Sequence, residues 1–196
     1  MKRYKLNIRN LACFCLAYFC LTLVAVPQEN KKNMLMLIDD FETNTEKWID
    51  ESAVEHKPTF ELSDNAKVGK KSMKIVFPAN TRGGTSIANY LKDWHKDGTV
   101  ISFWGKAEKE SKIQIKVNEL VSVHNQFEGF SAEVIIKPQW TLINVPLSKF
   151  TYLWGHGGGN KKTDPERIRL IAFEQSDVKV AITVWLDDVA VNKSSE

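Results

Sequence analysis

The sequence predicts an all-β domain, a β-sandwich or jelly roll, and three observations lead there. Many short segments are rich in β-branched and aromatic residues. Turn residues such as Pro, Gly, Asp and Asn separate these segments at regular intervals, as they do between short strands. No stretch of 12 or more residues has the 3.6-residue apolar period of a helix, and residues 86–96 come nearest. About ten strands in two packed sheets are therefore expected.

The expected strands follow one another through most of the chain. Pro58 precedes the second, Pro78 ends the third, and the turn Asp97-Gly98 introduces the fifth. The predicted strands are 35–41, 59–62, 72–77, 86–91, 99–106, 112–117, 131–137, 140–145, 168–173 and 178–191.

The first 26 residues differ from the rest of the chain. Four basic residues and no acid occupy positions 1–9, and residues 11–26 are apolar apart from Thr22 and the cysteines. This pattern is typical of a secretory signal peptide. The apolar run of 16 residues is shorter than the roughly 20 that a membrane span needs. Leu23 is large for a position two residues before a cut at Ala25. A cleaved signal peptide and a retained anchor therefore both remain open.

Composition narrows the class of protein. Cys13, Cys15 and Cys20 all lie in the leader, so the exported part has no disulfide. The four basic residues of the leader carry more positive charge than the whole chain's net +3, so the rest of the chain has a net charge of −1. This charge gives no argument for nucleic-acid binding. We divide the chain into a signal peptide or N-terminal anchor (1–26), a short linker (27–34) and one β domain (35–192).

The last predicted strand contains two adjacent carboxylates. Strict alternation would place Asp187 on the same face as Val189 and Val191, and Asp188 on the other. An unpaired buried carboxylate costs several kcal/mol, so it needs a cation or a set of donors.

The first predicted strand also ends in acids, Asp39 and Asp40, with Glu42 close behind. The simplest arrangement places the first and last strands side by side, sharing a cation. In the alternative, one acid of each pair is solvated and the other caps a turn.

Five segments in order carry a family resemblance: LIDDFE, GKKSMKIVF, VISFWGKA, WTLINVPLSKF, and RIRLIAFE followed by VWLDDVAV. This order resembles the β-jelly-roll carbohydrate-binding modules of the galactose-binding-like superfamily, with family 11 nearest. The resemblance implies two sheets with one concave face and a structural calcium near the chain ends. It implies that Glu42, backbone oxygens at Gly69 and Lys71, and Asp187 hold this ion. Calcium prefers such oxygen ligands.

The resemblance also implies a sugar site on the concave sheet, although the residues differ from the family pattern of Tyr, Asp, Arg and His. The segment 151–162 places an aromatic pair among four glycines, which allow close approach to a ligand. Its alternative is a mobile loop with the indole packed on the sandwich. The other candidates are a second aromatic pair, in the loop at 94–95, and a polar strand face around Trp104 and residues 114–118. The alternative for this strand face is an ordinary solvent-exposed surface. The candidate carbohydrate-binding residues are Trp154, His156, Trp94, Trp104, Tyr90, Gln114, Lys116 and Asn118.

Motifs for catalysis are missing from the sequence. HExxH and GxSxG do not occur, and the exported part has no cysteine nucleophile. Glu133 and Glu174 are the nearest to a glycosidase pair, but their spacing does not single them out. We expect a secreted, periplasmic or cell-surface monomer that binds polysaccharide without cutting it and carries a structural calcium. The alternatives are a small jelly-roll hydrolase or lyase and a protein-interaction or assembly module.

The leader yields a first testable prediction. The full-length chain should leave the cytoplasm when it is expressed, because residues 1–26 have the charge and apolar pattern of an export signal. Fractionation of expressing cells checks this. Intact protein in the soluble cytoplasmic fraction would contradict it.

Overall fold

A computed structural model describes residues 33–52, 55, 57–80, 86–122 and 126–194. Within these residues two antiparallel six-stranded sheets form, together with 3₁₀ turns at Leu147–Lys149 and Pro165–Arg167. The described part contains no helix long and apolar enough to cross a membrane. The strands are β1 Met34–Asp39, β2 Trp48–Asp50, β3 Thr59–Ser63, β4 Ser72–Phe77, β5 Ser86–Tyr90, β6 Val100–Ala107, β7 Ser111–Ser122, β8 Gln126–Ile136, β9 Thr141–Pro146, β10 Thr151–Gly155, β11 Ile168–Gln175 and β12 Ile182–Asn192.

The first sheet, sheet A, is built around β12. Its order is β3-β4-β12-β6-β9, and β1 also pairs with β12. β4 pairs with the first half of β12, and β1 pairs with the second half. The strands at the two ends of the domain are therefore neighbours, as the sequence predicts.

The second sheet, sheet B, has the order β10-β8-β7-β11-β5-β2. The inner faces of the two sheets form one continuous hydrophobic core. Four aromatic rings run through this core, with centroid separations of 5.9 Å for Phe41–Trp48, 5.7 Å for Trp48–Phe173 and 5.2 Å for Phe173–Phe103. Phe103 belongs to sheet A and Phe173 to sheet B, so the last contact joins the two sheets directly.

The predicted fold class is confirmed. The differences from the prediction concern two edge strands and the ends of two others. β2 and β10 are not among the predicted strands, and β8 begins five residues earlier than predicted. β2 has only three residues, too few to show an alternating pattern. β10 lies inside the segment expected to be a loop, because pairing with β8 orders a sequence whose exposed residues give no strand pattern. β12 begins at Ile182 instead of 178.

A bulge in β12 corrects the predicted orientation of Asp187. The register with β6 shifts between Asp187 and Ala190, and Asp188 has a φ of +46°. Alternation is broken there, so Val189 enters the core although Asp187 does not. Asp187 instead lies opposite Trp104, on the outer side of sheet A.

The contact between the sheets should dominate stability. Replacing the fully buried Phe173 by Ala should lower the free energy of unfolding by about 3–5 kcal/mol, because it leaves a cavity between the sheets. Urea unfolding measures this, with Ile135→Ala as the control because Ile135 is exposed. Equal losses from both variants would contradict the assigned core.

Candidate functional site

The outer face of sheet B carries a groove, and strand register defines its residues. One row runs across five strands of the sheet: Trp154 on β10, Gly129 on β8, Asn118 on β7, Leu170 on β11 and Tyr90 on β5. Adjacent strands lie about 4.8 Å apart, so this row extends for roughly 19 Å. The next residues along β7 and β11, Val117 and Ile171, point the other way into the core.

The groove encloses about 280 Å³, and both polar and apolar side chains form its floor. Near its middle, the Lys116 ammonium group forms an ion pair with Glu174. Towards β5 the floor becomes apolar, where Ala88, Leu170 and Ala172 form a small cluster separate from the main core. The groove is lined by Glu51, Ser86, Ala88, Lys116, Asn118, Trp154, Leu170, Ala172 and Glu174.

Trp154 forms one end of the groove. The register of β10 with β8 shifts between Tyr152 and Trp154, and the residue opposite Trp154 is Gly129. A Cβ at Gly129 would lie 2.4 Å from Nε1 of Trp154, so only glycine lets the indole lie against the backbone of β8. The Trp154 side chain remains 41% exposed. It therefore presents an open aromatic surface at the groove.

His156 supports this indole from the loop side. Its ring meets Trp154 edge-on at a centroid separation of 5.5 Å. Its backbone N–H donates to the Phe127 carbonyl at 3.2 Å, which continues the pairing of β10 with β8. His156 therefore contributes to the position of Trp154.

Tyr90 lies at the opposite end of the row and is 58% exposed. Its hydroxyl donates to Oε1 of Glu51 at 2.7 Å, and this bond to a carboxylate, together with partial burial, raises the pKa of Tyr90 to about 12. Glu51 lines the groove. Two aromatic side chains thus mark the ends of a floor that carries amide, ammonium and carboxylate groups. Such a surface can take a flat, hydroxyl-rich chain, with stacking at the ends and hydrogen bonds in the middle.

The structure brings most of the predicted carbohydrate-binding residues to this face. Trp154, Lys116 and Asn118 line the groove, and Gln114 lies on the same face, opposite Glu174. The sequence pattern does not indicate Glu51 or the small apolar residues of β5 and β11 as site residues. Alternation along β11 separates its two faces, but the partner strands decide which of these faces forms the groove.

Two predicted site residues lie elsewhere. Trp94 is only 6% exposed, and its indole N–H donates to the Gly98 carbonyl at 2.9 Å, so the ring is part of the core. Trp104 lies on the outer face of sheet A, where the Lys67 ammonium group is 4.7 Å from its ring centroid. Neither side chain can share a ligand with Trp154. The prediction that they join the sugar site is therefore corrected.

The residues predicted to hold calcium meet around the loop 67–71. Oε1 of Glu42 accepts the backbone N–H groups of Lys70 at 2.8 Å and Lys71 at 3.1 Å. Oδ2 of Asp187 accepts those of Lys67 and Val68, both at 2.8 Å. Gly69, with a φ of +63°, has no room for a Cβ, which would lie 2.1 Å from Oε1 of Glu42. Both carboxylates are thus bound by one loop.

Asp187 is fully buried beneath that loop, and its Oδ1 atom has no hydrogen-bond partner. Burial raises the pKa of Asp187 to about 6, although the amides of Val68 and Lys67 act in the opposite direction. A cation beside Oδ1 would satisfy this atom and favour the ionised form. The described residues contain no group of three or more acids, histidines or cysteines suited to a metal. Backbone oxygens would therefore have to supply most ligands, which calcium accepts.

A second depression, of about 590 Å³, lies at the edge between β1, β2 and β5. It is more apolar than the groove, and Leu37, Ile49 and Tyr90 expose much of their side chains there. Tyr90 thus separates the groove from this apolar cleft.

No family model and no curated protein matches the sequence. Among solved structures, the chain is similar to the family 11 carbohydrate-binding module from Clostridium thermocellum in complex with a β-1,3-1,4-mixed-linked tetrasaccharide. The identity is 18% and the TM-score 0.69, with 82% of this chain and 96% of that chain covered.

Two further solved structures are similar over the same share of this chain. The family 30 carbohydrate-binding module of the C. thermocellum cellulase Cel9D-Cel44B has 14% identity and a TM-score of 0.61, with 82% and 98% covered. The agarase AgWH50C has 15% identity and a TM-score of 0.54, but the match covers only 26% of that chain. The protein has the β-jelly-roll fold of the carbohydrate-binding modules.

Proposed function

We propose that the protein is exported and binds a polysaccharide chain in the groove of sheet B without cutting it. The observation that carries this proposal is the Trp154 indole, held open at the end of the groove by a glycine on the neighbouring strand. The named carbohydrate-binding modules share the fold, and one was solved with a tetrasaccharide. These similarities support a saccharide as the ligand class.

Stacking and hydrogen bonding would both be needed for affinity. A sugar ring stacked on an indole removes on the order of 100 Å² of apolar area from water, which stabilises the complex by about 2–3 kcal/mol. The sugar hydroxyls lose water as well and need partners. Asn118, Lys116 and Glu174 offer both donors and acceptors along the floor. Since association also costs entropy, modest affinity is expected.

The charges of the groove favour binding over hydrolysis. A glycosidase needs a pair of carboxyl groups that are free to reach the scissile bond. The Glu133 and Glu174 carboxylates are each bound by a lysine ammonium group, and Glu51 accepts the Tyr90 hydroxyl. Each of these carboxyl groups is instead engaged by a neighbouring side chain. The apolar cleft beside β1 would suit an assembly module, but no described feature identifies a protein partner.

Replacing Trp154 tests the proposal. We expect Trp154→Ala to weaken retention of the protein on a polysaccharide affinity gel by about 10–100-fold in Kd, because the stacking surface is lost. The melting temperature should change little, since the indole lies on the outer face of sheet B and outside the hydrophobic core.

The matched control is Trp104→Ala, which removes a partly exposed indole from the opposite sheet. It should leave gel retention unchanged. A screen of glucans, mannans, xylans and galactans finds the ligand first. If no glycan retains the unmodified protein, or if both variants lose retention equally, the proposed site is wrong.

We also propose that calcium binds beside Glu42 and Asp187, with backbone oxygens of the loop 67–71 completing its shell. The unpartnered Oδ1 of Asp187 supports this. Bound calcium would link the segment that follows β1, this loop and the bulge of β12, and so stabilise the fold at the point where its ends meet.

Calcium removal should therefore lower stability. With calcium at a hundredfold excess over its Kd, the native state gains about 2.7 kcal/mol, or roughly 5–10 °C in melting temperature. Chelation followed by thermal unfolding measures this loss, and added calcium should reverse it. Asp187→Asn should abolish the response, whereas Asp64→Asn, an exposed acid near the same loop, should keep it. A calcium-insensitive melting curve for the unmodified protein would refute the site.

A further inference from the structure

Two glutamates face each other in the core-side row of sheet B. Glu119 on β7 lies directly opposite Glu128 on β8, and they are only 1% and 3% exposed. Side chains directly opposite in an antiparallel pair have Cβ atoms about 4.5–5.5 Å apart. Two like charges at that distance, out of water, destabilise the structure unless protons or donors compensate.

The loop that follows Trp154 covers this pair, and we call residues 156–164 the glycine loop. Its backbone supplies the compensating donors: the Lys161 N–H donates to Oε2 of Glu128 at 3.3 Å, and the Asp164 N–H donates to Oε1 of Glu119. Gly159 packs directly on the Glu128 carboxylate, where a Cβ would lie 1.9 Å from its Cδ atom. Closure of the glycine loop therefore buries both glutamates.

The same loop is attached to the groove. Gly155, the last residue of β10, pairs with Glu128, and Trp154 immediately precedes it. His156, the first residue of the loop, contacts the Trp154 ring. Opening of the glycine loop would thus release the support of the indole from one side.

We propose that the Glu119–Glu128 pair makes closure of the glycine loop, and with it the position of Trp154, dependent on pH. This inference concerns regulation of the groove and rests on the proposed function for its effect on glycan binding. The loop response itself is independent of any ligand.

The charged surroundings decide the direction of the effect. Burial is the largest influence and raises the pKa of Glu119 from 4.5 to about 7; the Asp164 and Glu128 carboxylates add to the rise, while the Asp164 amide and the Arg167 guanidinium oppose it. The Lys161 ammonium group points away, over the Tyr152 ring. The groups that face the pair or border it are Asp164, Lys161, His156, Tyr152 and Arg167.

In the closed loop Glu119 therefore keeps a proton up to about pH 7, whereas in the open, solvated loop it keeps one only below its ordinary pKa. The closed state is fully favoured below about pH 4.5, loses stability as the pH rises from 4.5 to 7, and is least stable above 7. Between pH 6 and pH 8 this linkage changes the ratio of open to closed loop by roughly tenfold.

Trypsin cleavage after Lys161 and Lys162 in the full-length protein measures loop opening. The rate for the unmodified protein is divided by that for Glu119→Gln at the same pH, which cancels the pH dependence of trypsin. Gln keeps the shape without the charge, so this ratio should rise about tenfold from pH 6 to pH 8. Glu61→Gln is the matched control, because Glu61 is an exposed strand glutamate on sheet A, and its ratio should stay constant.

Two further variants keep the test decisive. If Glu119→Gln does not fold, Glu128→Gln replaces it. Removal of the facing charge lowers the pKa of Glu119 in the closed loop, so the ratio taken against this variant should still rise from pH 6 to pH 8, by less than tenfold. An imidazole also changes charge in this range, so the response must persist in His156→Gln. A ratio that does not change with pH, or a response that disappears with His156, would overturn the inference.

Affinity-gel retention at pH 6 and pH 8 then tests the coupling to the groove. Retention should be weaker at pH 8 for the unmodified protein and equal at both values for Glu119→Gln. Retention that ignores pH while cleavage responds would refute the coupling. No retention at either pH would refute the proposed function instead, and the cleavage ratio would still decide the loop response.

Discussion

The edge-on contact between Phe103 and Phe173 fixes how the two sheets face each other. Each ring belongs to a different sheet, and Trp48 and Phe41 extend the contact towards the first strand. The indole N–H of Trp48 in turn donates to the buried Asp39 at 3.0 Å. Because these rings set which residues of each strand point inward, they also set which residues remain outside. The groove is formed by the alternate residues of the same strands, which point away from the core.

This division of faces connects the core to the groove. Ile113, Ile115 and Val117 of β7 point inward, so Gln114, Lys116 and Asn118 must point outward. The same parity holds along β11, where Phe173 is in the core and the groove receives Ala172 and Glu174. Polar groups of the groove are therefore mounted on strands whose opposite faces are fully packed. The packed backbone restricts the motion of these side chains, so less conformational entropy is lost when a ligand binds.

The sequence predicts the sandwich well because alternation is a local signal. The interior of β4, β6 and β7 shows it plainly. The predicted adjacency of β1 and β12 is also confirmed, although Asp39 accepts the Phe41 amide and the Trp48 indole N–H. The features that depend on a partner strand could not be predicted. Trp154 belongs to a strand only because β8 pairs with it, and its open ring depends on Gly129, which is 25 residues away in sequence. The orientation of Asp187 depends on a bulge, and nothing in the alternating pattern of VWLDDVAV indicates one. Trp94, surrounded by charged residues in sequence, is buried by its hydrogen bond to Gly98 and its contacts with the core.

The chain enters and leaves the domain at one place. The Lys193 N–H donates to the Asn33 carbonyl at 3.0 Å, so the first and last described segments touch beside β1 and β12 of sheet A. The groove lies on the outer face of sheet B, across the full thickness of the sandwich. A segment attached at residue 33 would therefore join the layer opposite the groove and leave the groove face uncovered. The proximity of the two ends also means that a few added residues would join them, so circularly permuted forms of this domain should retain the same core.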